Sequence, residues 1–417
     1  MSAPYLDPAT ATEVAVRIGY RIARRALHHA DRATWLEAIP TMPGQNPAAS
    51  RTCGPDIYGG TAGIGWYLAE LAVRAPDPLF ERIARAALRQ AAARAEAHVG
   101  LTPHGFYGGR PGTAVALIAA GMRLDDAASI AAGRRLLASQ TLVPDAPDAT
   151  DLISGLAGTA LALAIGADAL ADGDLAERAR DVALALIGLA HRDARGLSWP
   201  TMSGARANLT GFAHGTAGIA HALLVVDALA PSEPLRTAAI DALRYEEACY
   251  DGHHRGWPDY RVLPGYPPEQ IFYPVAWCHG AAGIALMRLA ARRGDVGDGA
   301  ALDAAVTATV VEAARLRGTP GIDHTLCHGV LGLADTLLDA ARAGREDAAI
   351  TLISLLDSVK RTYHDGEQPW PSGLATREEI SGLMLGTAGI GWLFLRVADA
   401  TLGSPLLPGA SILTARG

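Results

Sequence analysis

HGTAGIA at 214–220, HGAAGIA at 279–285 and HGVLGLA at 328–334 are three versions of one short unit. Four more copies occur: GGTAGIG at 59–65, GGRPGTA at 108–114, SGLAGTA at 154–160 and LGTAGIG at 385–391. Each is Gly-x-x-Gly followed by an apolar run. The leading glycines, at 60, 109, 155, 215, 280, 329 and 386, are separated by 49, 46, 60, 65, 49 and 57 residues. Repetition at such a period marks an array of equivalent supersecondary units, and one step holds two helices with their loops. After each unit the apolar residues recur at helical spacing, as in Ile64, Tyr67, Leu68 and Leu71, or Ile219, Ala222, Leu223 and Val226, the pattern of a buried amphipathic helix. A more charged helix then follows. DPLFERIARAALRQAAARAEAHVG at 77–100, for example, starts with an acidic, proline-bearing turn and stops at glycine. Runs of alternating β-branched residues are nearly absent, and Ala, Leu and Arg dominate. The expectation is an all-α fold, inner helix then outer helix seven times, closing into a ring. Without a Cβ, the paired glycines are expected to let each inner helix start approach its neighbours around a crowded axis.

Composition narrows the function. Of 417 residues, 50% are hydrophobic and 19% charged, and no run of about 18 uncharged apolar residues marks a membrane span. The first thirty residues lack the basic start, apolar core and small-residue cleavage site of a secretory signal, so a cytoplasmic location is expected. A net charge of −7 without a block of Lys or Arg argues against nucleic acid as a partner. The four cysteines, Cys53, Cys249, Cys278 and Cys327, are too few for a disulfide framework in a reducing compartment, which leaves metal binding or plain burial. Cys53 and Cys249 fit no metal spacing. Two long connections, near 194–211 and 250–274, are rich in Gly, Pro and aromatics and are expected to shape substrate access. His253 and His254 read as exposed loop residues, and Trp66 and Trp392 as core.

In a ring of equivalent repeats, residues at one position of every repeat meet at one height. The position just before each leading glycine reads Gly59, Gly108, Ser154, His214, His279, His328 and Leu385. One residue earlier it reads Tyr58, Tyr107, Ile153, Ala213, Cys278, Cys327 and Met384. Three consecutive repeats therefore place histidine at one level, and two of them add cysteine. Singly, such residues are most often a buried cysteine or a hydrogen-bonded core histidine. Together, soft thiolates and an imidazole suit zinc, and helix N-termini are expected to help hold the thiolates. Two sulfurs and one nitrogen leave a fourth tetrahedral position open, as catalytic rather than structural sites do. Spacing does not choose between His279 and His328 as the nitrogen ligand. Asp151 alone reads equally well as a helix-capping residue.

The sevenfold Gly-x-x-Gly array, with WCHG at 277–280, LCHG at 326–329, AHG at 213–215 and DLISGLAG at 151–158, resembles the lanthionine synthetase C family over nearly the whole chain. The resemblance implies one domain over 1–417, an α/α toroid of seven inner and about seven outer helices, with residues 1–50 as an N-terminal helical segment on the outside. It implies one zinc ion on Cys278, Cys327 and His328, with His279 lining the site as a further candidate catalytic residue. His214 is then the acid/base group and Asp151 its partner. The implied activity is that of a lanthipeptide cyclase: a peptide cysteine thiolate, activated by zinc, adds to dehydroalanine or dehydrobutyrine in a dehydrated precursor peptide and closes a thioether ring. Addition of glutathione or another small thiol to dehydroamino acids, and an inactive binding scaffold, are the alternatives. The nisin-cyclase branch carries tyrosine after the zinc cysteine and a basic residue shortly before it. His279 and the run ending at Ala276 depart from that and resemble the cyclase halves of fused dehydratase-cyclase enzymes. The chain has no room for a dehydratase or kinase domain, so separate enzymes of the pathway are expected to supply dehydration. No Asp-Asp-x-x-Asp run, the acidic signature of other helical rings, occurs; LDDAAS at 124–129 stops short.

Overall fold

The computed structural model describes residues 5–38, 50–140, 149–293, 299–372 and 379–414, and these are predominantly α-helical. Helix α1 (Pro8–Arg24) leads into two short antiparallel pairs, β1 (Leu27–His29) with β2 (Arg32–Thr34) and β3 (Leu36–Ala38) with β4 (Ser50–Thr52). The segment expected to be helical over 1–50 is thus helical in α1, and its residues 1–4 and 39–49 lie outside the described ones. Then come α2 (Thr61–Arg74), α3 (Pro78–Glu96), α4 (Arg110–Leu124), α5 (Ala127–Ala138), α6 (Leu156–Leu170) and α7 (Gly173–Gly188). A third short pair, β5 (His191–Asp193) with β6 (Gly196–Ser198), precedes α8 (Thr216–Leu229), α9 (Glu233–Ala248), α10 (Ala281–Arg293) and α11 (Gly299–Leu316). The chain ends in α12 (Val330–Arg342), α13 (Glu346–Val359), α14 (Thr387–Ala398) and the short α15 (Ala410–Thr414).

Every even-numbered helix from α2 to α14 starts directly after a leading glycine. These helices are apolar on most sides, as helices buried all round must be; every residue of α6 from Leu156 to Ala164 is buried. The odd-numbered helices from α3 to α13 have one buried face, and α3, α5 and α7 begin at Asp77, Asp126 and Asp172, whose carboxylates accept from first-turn N–H groups. Helix α2 packs on α4, α4 on α6, α6 on α8, α8 on α10, α10 on α12, α12 on α14, and α14 on α2. Each even-numbered helix from α2 to α12 also packs against the helix that follows it. Helix α14 differs: its large partner is α1, from the other end of the chain. The inner-then-outer order therefore changes in the last repeat, where the N-terminal helix covers the C-terminal one. A single apolar core runs from Ala11 to Leu413. Among the described residues, no helix is long and apolar enough to cross a membrane.

The glycines act differently from expectation. The first-turn N–H groups of an inner helix lack intrahelical partners, and the preceding loop curls over the helix end to supply them. Thr61, Ala157, Thr216 and Thr387 each donate to the carbonyl seven residues back, at 2.8–3.2 Å. This wrap leaves no space beside the second glycine of each unit. A Cβ on Gly63, Gly112, Gly158, Gly218, Gly283, Gly332 or Gly389 would stand 1.5–2.2 Å from the carbonyl oxygen six residues earlier. The tightest contact is thus with the helix's own loop; neighbouring repeats come second. Gly280 alone among the leading glycines has positive φ, +95°, a conformation that suits glycine.

Candidate metal centre and acid/base pair

The curled loops fix what stands at the mouth of each inner helix. Backbone hydrogen bonds link these loops from repeat to repeat: Ala213 N to Cys278 O at 3.2 Å, Cys278 N to Cys327 O at 3.3 Å, Cys327 N to Met384 O at 3.0 Å, Met384 N to Tyr58 O at 2.8 Å and Tyr58 N to Tyr107 O at 3.1 Å. All these residues come from the column two places before the leading glycine, so the aligned positions do meet.

Cys278, Cys327 and His328 converge, their ligand atoms all within 4.8 Å of one another. Cys327 is buried, Cys278 partly so, and the His328 side chain is 41% exposed, which leaves the cluster open on one side. A hydrogen bond with Cys327, helped by His328, pushes Cys278 well below the ordinary thiol value, and Cys327 is pushed up correspondingly. The first-turn N–H groups of α10 and α12 donate to loop carbonyls, Ala281 N to Pro274 O at 3.4 Å and Val330 N to Asp323 O at 2.9 Å. The sulfurs instead find each other, His328 and the Tyr58 hydroxyl, which donates to Cys327 Sγ at 3.0 Å. Two thiolates and an imidazole at this separation match a borderline-soft divalent cation.

Beside the cluster stands a second constellation. His214 Nδ1 lies 2.5 Å from Asp151 Oδ2. An ionised carboxylate only accepts, so Nδ1 carries the proton and Nε2 is the nitrogen turned away from Asp151. The other Asp151 oxygen accepts from Ser154 N at 2.8 Å, which fixes the carboxylate. The His279 ring lies against His214 at 5.4 Å between centroids and 19° between planes. His279 is buried, and burial pushes its imidazole down to about 4. The five histidine and cysteine residues singled out by position, together with Asp151, therefore fall into one trio and one adjoining pair, with His279 between them.

Three supporting groups were not singled out in the sequence. Tyr58 stood in the compared column, but as an aromatic residue far along the chain from Cys327. Asp323, whose carboxylate is 3.2 Å from His328 Nε2, lies in the loop that reaches α12. Asp259, buried and held by Arg261 through Nε at 3.0 Å and Nη2 at 2.6 Å, stands near His279 and belongs to the expected access loop. That loop and its counterpart are tied together, Arg206 N donating to Tyr260 O and Arg206 Nη2 to Gln270 O, both at 2.9 Å. His253 and His254 are exposed, as expected, and His254 stacks on Tyr273.

The model of the family described as lanthionine synthetase C-like protein matches residues 52–408. Among solved structures the chain is similar to nisin cyclase, with a TM-score of 0.62 and 19% identity over 86% of this chain and 92% of that one. That likeness is one of fold. It is also similar to an unsaturated glucuronyl hydrolase specific for heparin (TM-score 0.41, 11% identity, 84% of this chain and 96% of that one). A cellobiose 2-epimerase from Spirochaeta thermophila DSM 6192 gives a TM-score of 0.45 with 12% identity, over 95% of this chain and 99% of that one. No curated protein matches the chain significantly.

Proposed function

The chain belongs to the lanthionine synthetase C-like family, and from that premise we propose that it is a zinc-dependent lanthipeptide cyclase, closing thioether rings in a dehydrated precursor peptide. The observation that carries this reading is the convergence of Cys278, Cys327 and His328 beside the His214–Asp151 pair. The closed sequence of inner-helix contacts supports reading residues 1–417 as one toroid of seven inner and about seven outer helices, with α1 as the outer partner of α14 and the N-terminal segment on the outside.

Cys278, Cys327 and His328 would hold one zinc ion, which supplies a Lewis acid with a free position for a substrate sulfur and so favours the thiolate at neutral pH. The rest falls to the chain's own groups. As the substrate sulfur bonds to the β-carbon of a dehydroamino acid, the π electrons move toward the carbonyl and an enolate forms. In this reading His214 delivers a proton from Nε2 to the α-carbon, and Asp151, bonded to Nδ1, orients the ring and stabilises its charged form. Between turnovers the proton lost from the substrate thiol restores His214. His279, packed against the His214 ring, limits its tilt and narrows the space in which the enolate is protonated. The substrate partner is the dehydrated peptide, with separate dehydratase or kinase enzymes earlier in the pathway. The four unpaired cysteines fit a reducing cytoplasm.

Elemental analysis of the purified protein tests the metal half. About one zinc per chain is expected for wild type, with loss in Cys278→Ala, Cys327→Ala and His328→Ala. Wild-type protein that stays folded yet takes up no zinc when supplied with it would refute the reading.

A further inference from the structure

Two side chains outside the ligand trio hold its members from behind. Tyr58, in the loop ahead of α2, donates its hydroxyl to Cys327 Sγ at 3.0 Å. Both residues are tied to the same neighbour: Met384 N donates to Tyr58 O at 2.8 Å, and Cys327 N donates to Met384 O at 3.0 Å. Backbone geometry therefore sets the distance from phenol to sulfur. On the other ligand, the Asp323 carboxylate lies 3.2 Å from His328 Nε2. It is itself fixed by Thr325, whose N–H donates to Oδ1 at 2.7 Å and whose hydroxyl donates to Oδ2 at 3.0 Å. An ionised carboxylate accepts and does not donate, so the proton belongs on Nε2 and the lone pair on Nδ1. Metal-bound histidines commonly have such a partner on the far nitrogen.

We propose that Tyr58 and Asp323 are positioning residues for the metal: the Tyr58 phenol orients the Cys327 thiolate, and the Asp323 carboxylate fixes His328 as the Nε2–H tautomer that coordinates through Nδ1. This rests on the metal reading above. Tyr58 belongs to the first repeat and the ligands to the fifth and sixth, so metal occupancy is linked to the seam at which the first and last repeats meet.

The test uses the full-length protein with zinc or cobalt alone. Zinc affinity is measured by competition with a chromophoric chelator for wild type, Tyr58→Phe, Asp323→Ala and Asp323→Asn, with circular dichroism to confirm folding. The sulfur-to-cobalt charge-transfer band is then recorded for wild type and Tyr58→Phe. Affinity is expected to fall about 10-fold in Tyr58→Phe and about 10- to 100-fold in Asp323→Ala. Asp323→Asn, whose amide oxygen can accept the same Nε2–H, should restore most of the loss. The cobalt band should move to lower energy in Tyr58→Phe, because a thiolate without its hydrogen bond is a better electron donor. Affinity within twofold of wild type and an unmoved band in Tyr58→Phe overturn the role of Tyr58. Affinity within twofold in Asp323→Ala overturns that of Asp323. Tyr58→Phe keeps the ring and its packing, and decides the proposal if Asp323→Ala does not fold. Failure of wild type to bind zinc overturns the metal reading itself and this inference with it.

Discussion

Asp56 and Asp151 both stand four residues before a leading glycine, and each carboxylate accepts from the N–H three residues on, Gly59 for one and Ser154 for the other, at 2.8 Å. The turn uses a carboxylate in both repeats. What separates them is the second oxygen of Asp151, which lies on His214. The turn bond and the bond to His214 coexist at Asp151, because each uses a different oxygen; the helix itself starts after Gly155, without a side-chain cap. Asparagine at 151 would keep the turn bond and lose the anionic partner of Nδ1. Asp151→Asn and His214→Gln are therefore expected to retain zinc while turnover falls by about 10²- to 10⁴-fold. Wild-type turnover in folded Asp151→Asn would reduce that residue to a turn cap. The sequence made these residues legible because repeat alignment put His214, Cys278, Cys327 and His328 in two adjacent columns. Tyr58 was hidden because its partner Cys327 lies 269 residues along the chain, and Asp323 and Asp259 because they stand outside the two columns compared.

At the scale of the element, the glycine pairs were read correctly as packing residues but assigned the wrong principal neighbour. Sequence shows that a side chain is missing; it does not show that a loop wraps back over its own helix. The wrap makes a sharp contrast testable by urea unfolding. Gly218→Ala places a Cβ 1.9 Å from Phe212 O and should cost about 3 kcal/mol or more. Gly188→Ala, at the end of α7 with nothing within 4 Å of the added carbon, should be neutral or stabilise by about 0.5–1 kcal/mol. Equal effects would mean that the loop carbonyls yield. Helix α8 carries a second element-level consequence. His221 is fully buried with Nε2 2.8 Å from Pro408 O, and burial pushes its pKa from 6.5 down to about 4. Between these values the unfolded chain binds more protons than the folded one, so this group's contribution is whole above about pH 6.5 and is lost as pH falls toward 4. Unfolding midpoints should therefore drop across that window, and His221→Gln should flatten the drop. An unchanged slope in the variant would remove His221 as the cause.

For the molecule as a whole, the sevenfold repeat predicts the succession of inner helices, and the contacts follow that succession back from α14 to α2. The role of α1 was not legible, since its pairing with α14 joins residues from opposite ends of the chain. A second periodic device was also passed over. Trp35, Trp199 and Trp257 each follow an outer helix and donate Nε1–H to a carbonyl near that helix's end, on Ile22, Leu186 and Glu246 at 2.7–2.9 Å. Trp199 and Trp257 anchor the start of the two long loops, which then bond to each other through Arg206. The loop from each tryptophan to the next leading glycine differs in length, 25, 16 and 23 residues, so they do not register with the glycine repeat. The Cys278, Cys327 and His328 cluster and the His214–Asp151 pair both stand in the loops that lead into the even-numbered helices.

Ring closure joins two parts of one peptide without changing its mass, so the direct measurement is the loss of alkylatable thiol from a dehydrated precursor peptide incubated with the zinc-loaded protein. The prediction is that wild type removes the free thiol while zinc-loaded His214→Gln and metal-free Cys327→Ala leave it at the level of the buffer control. A precursor whose thiols remain fully alkylatable in the presence of folded, zinc-loaded wild-type protein would contradict a cyclase function.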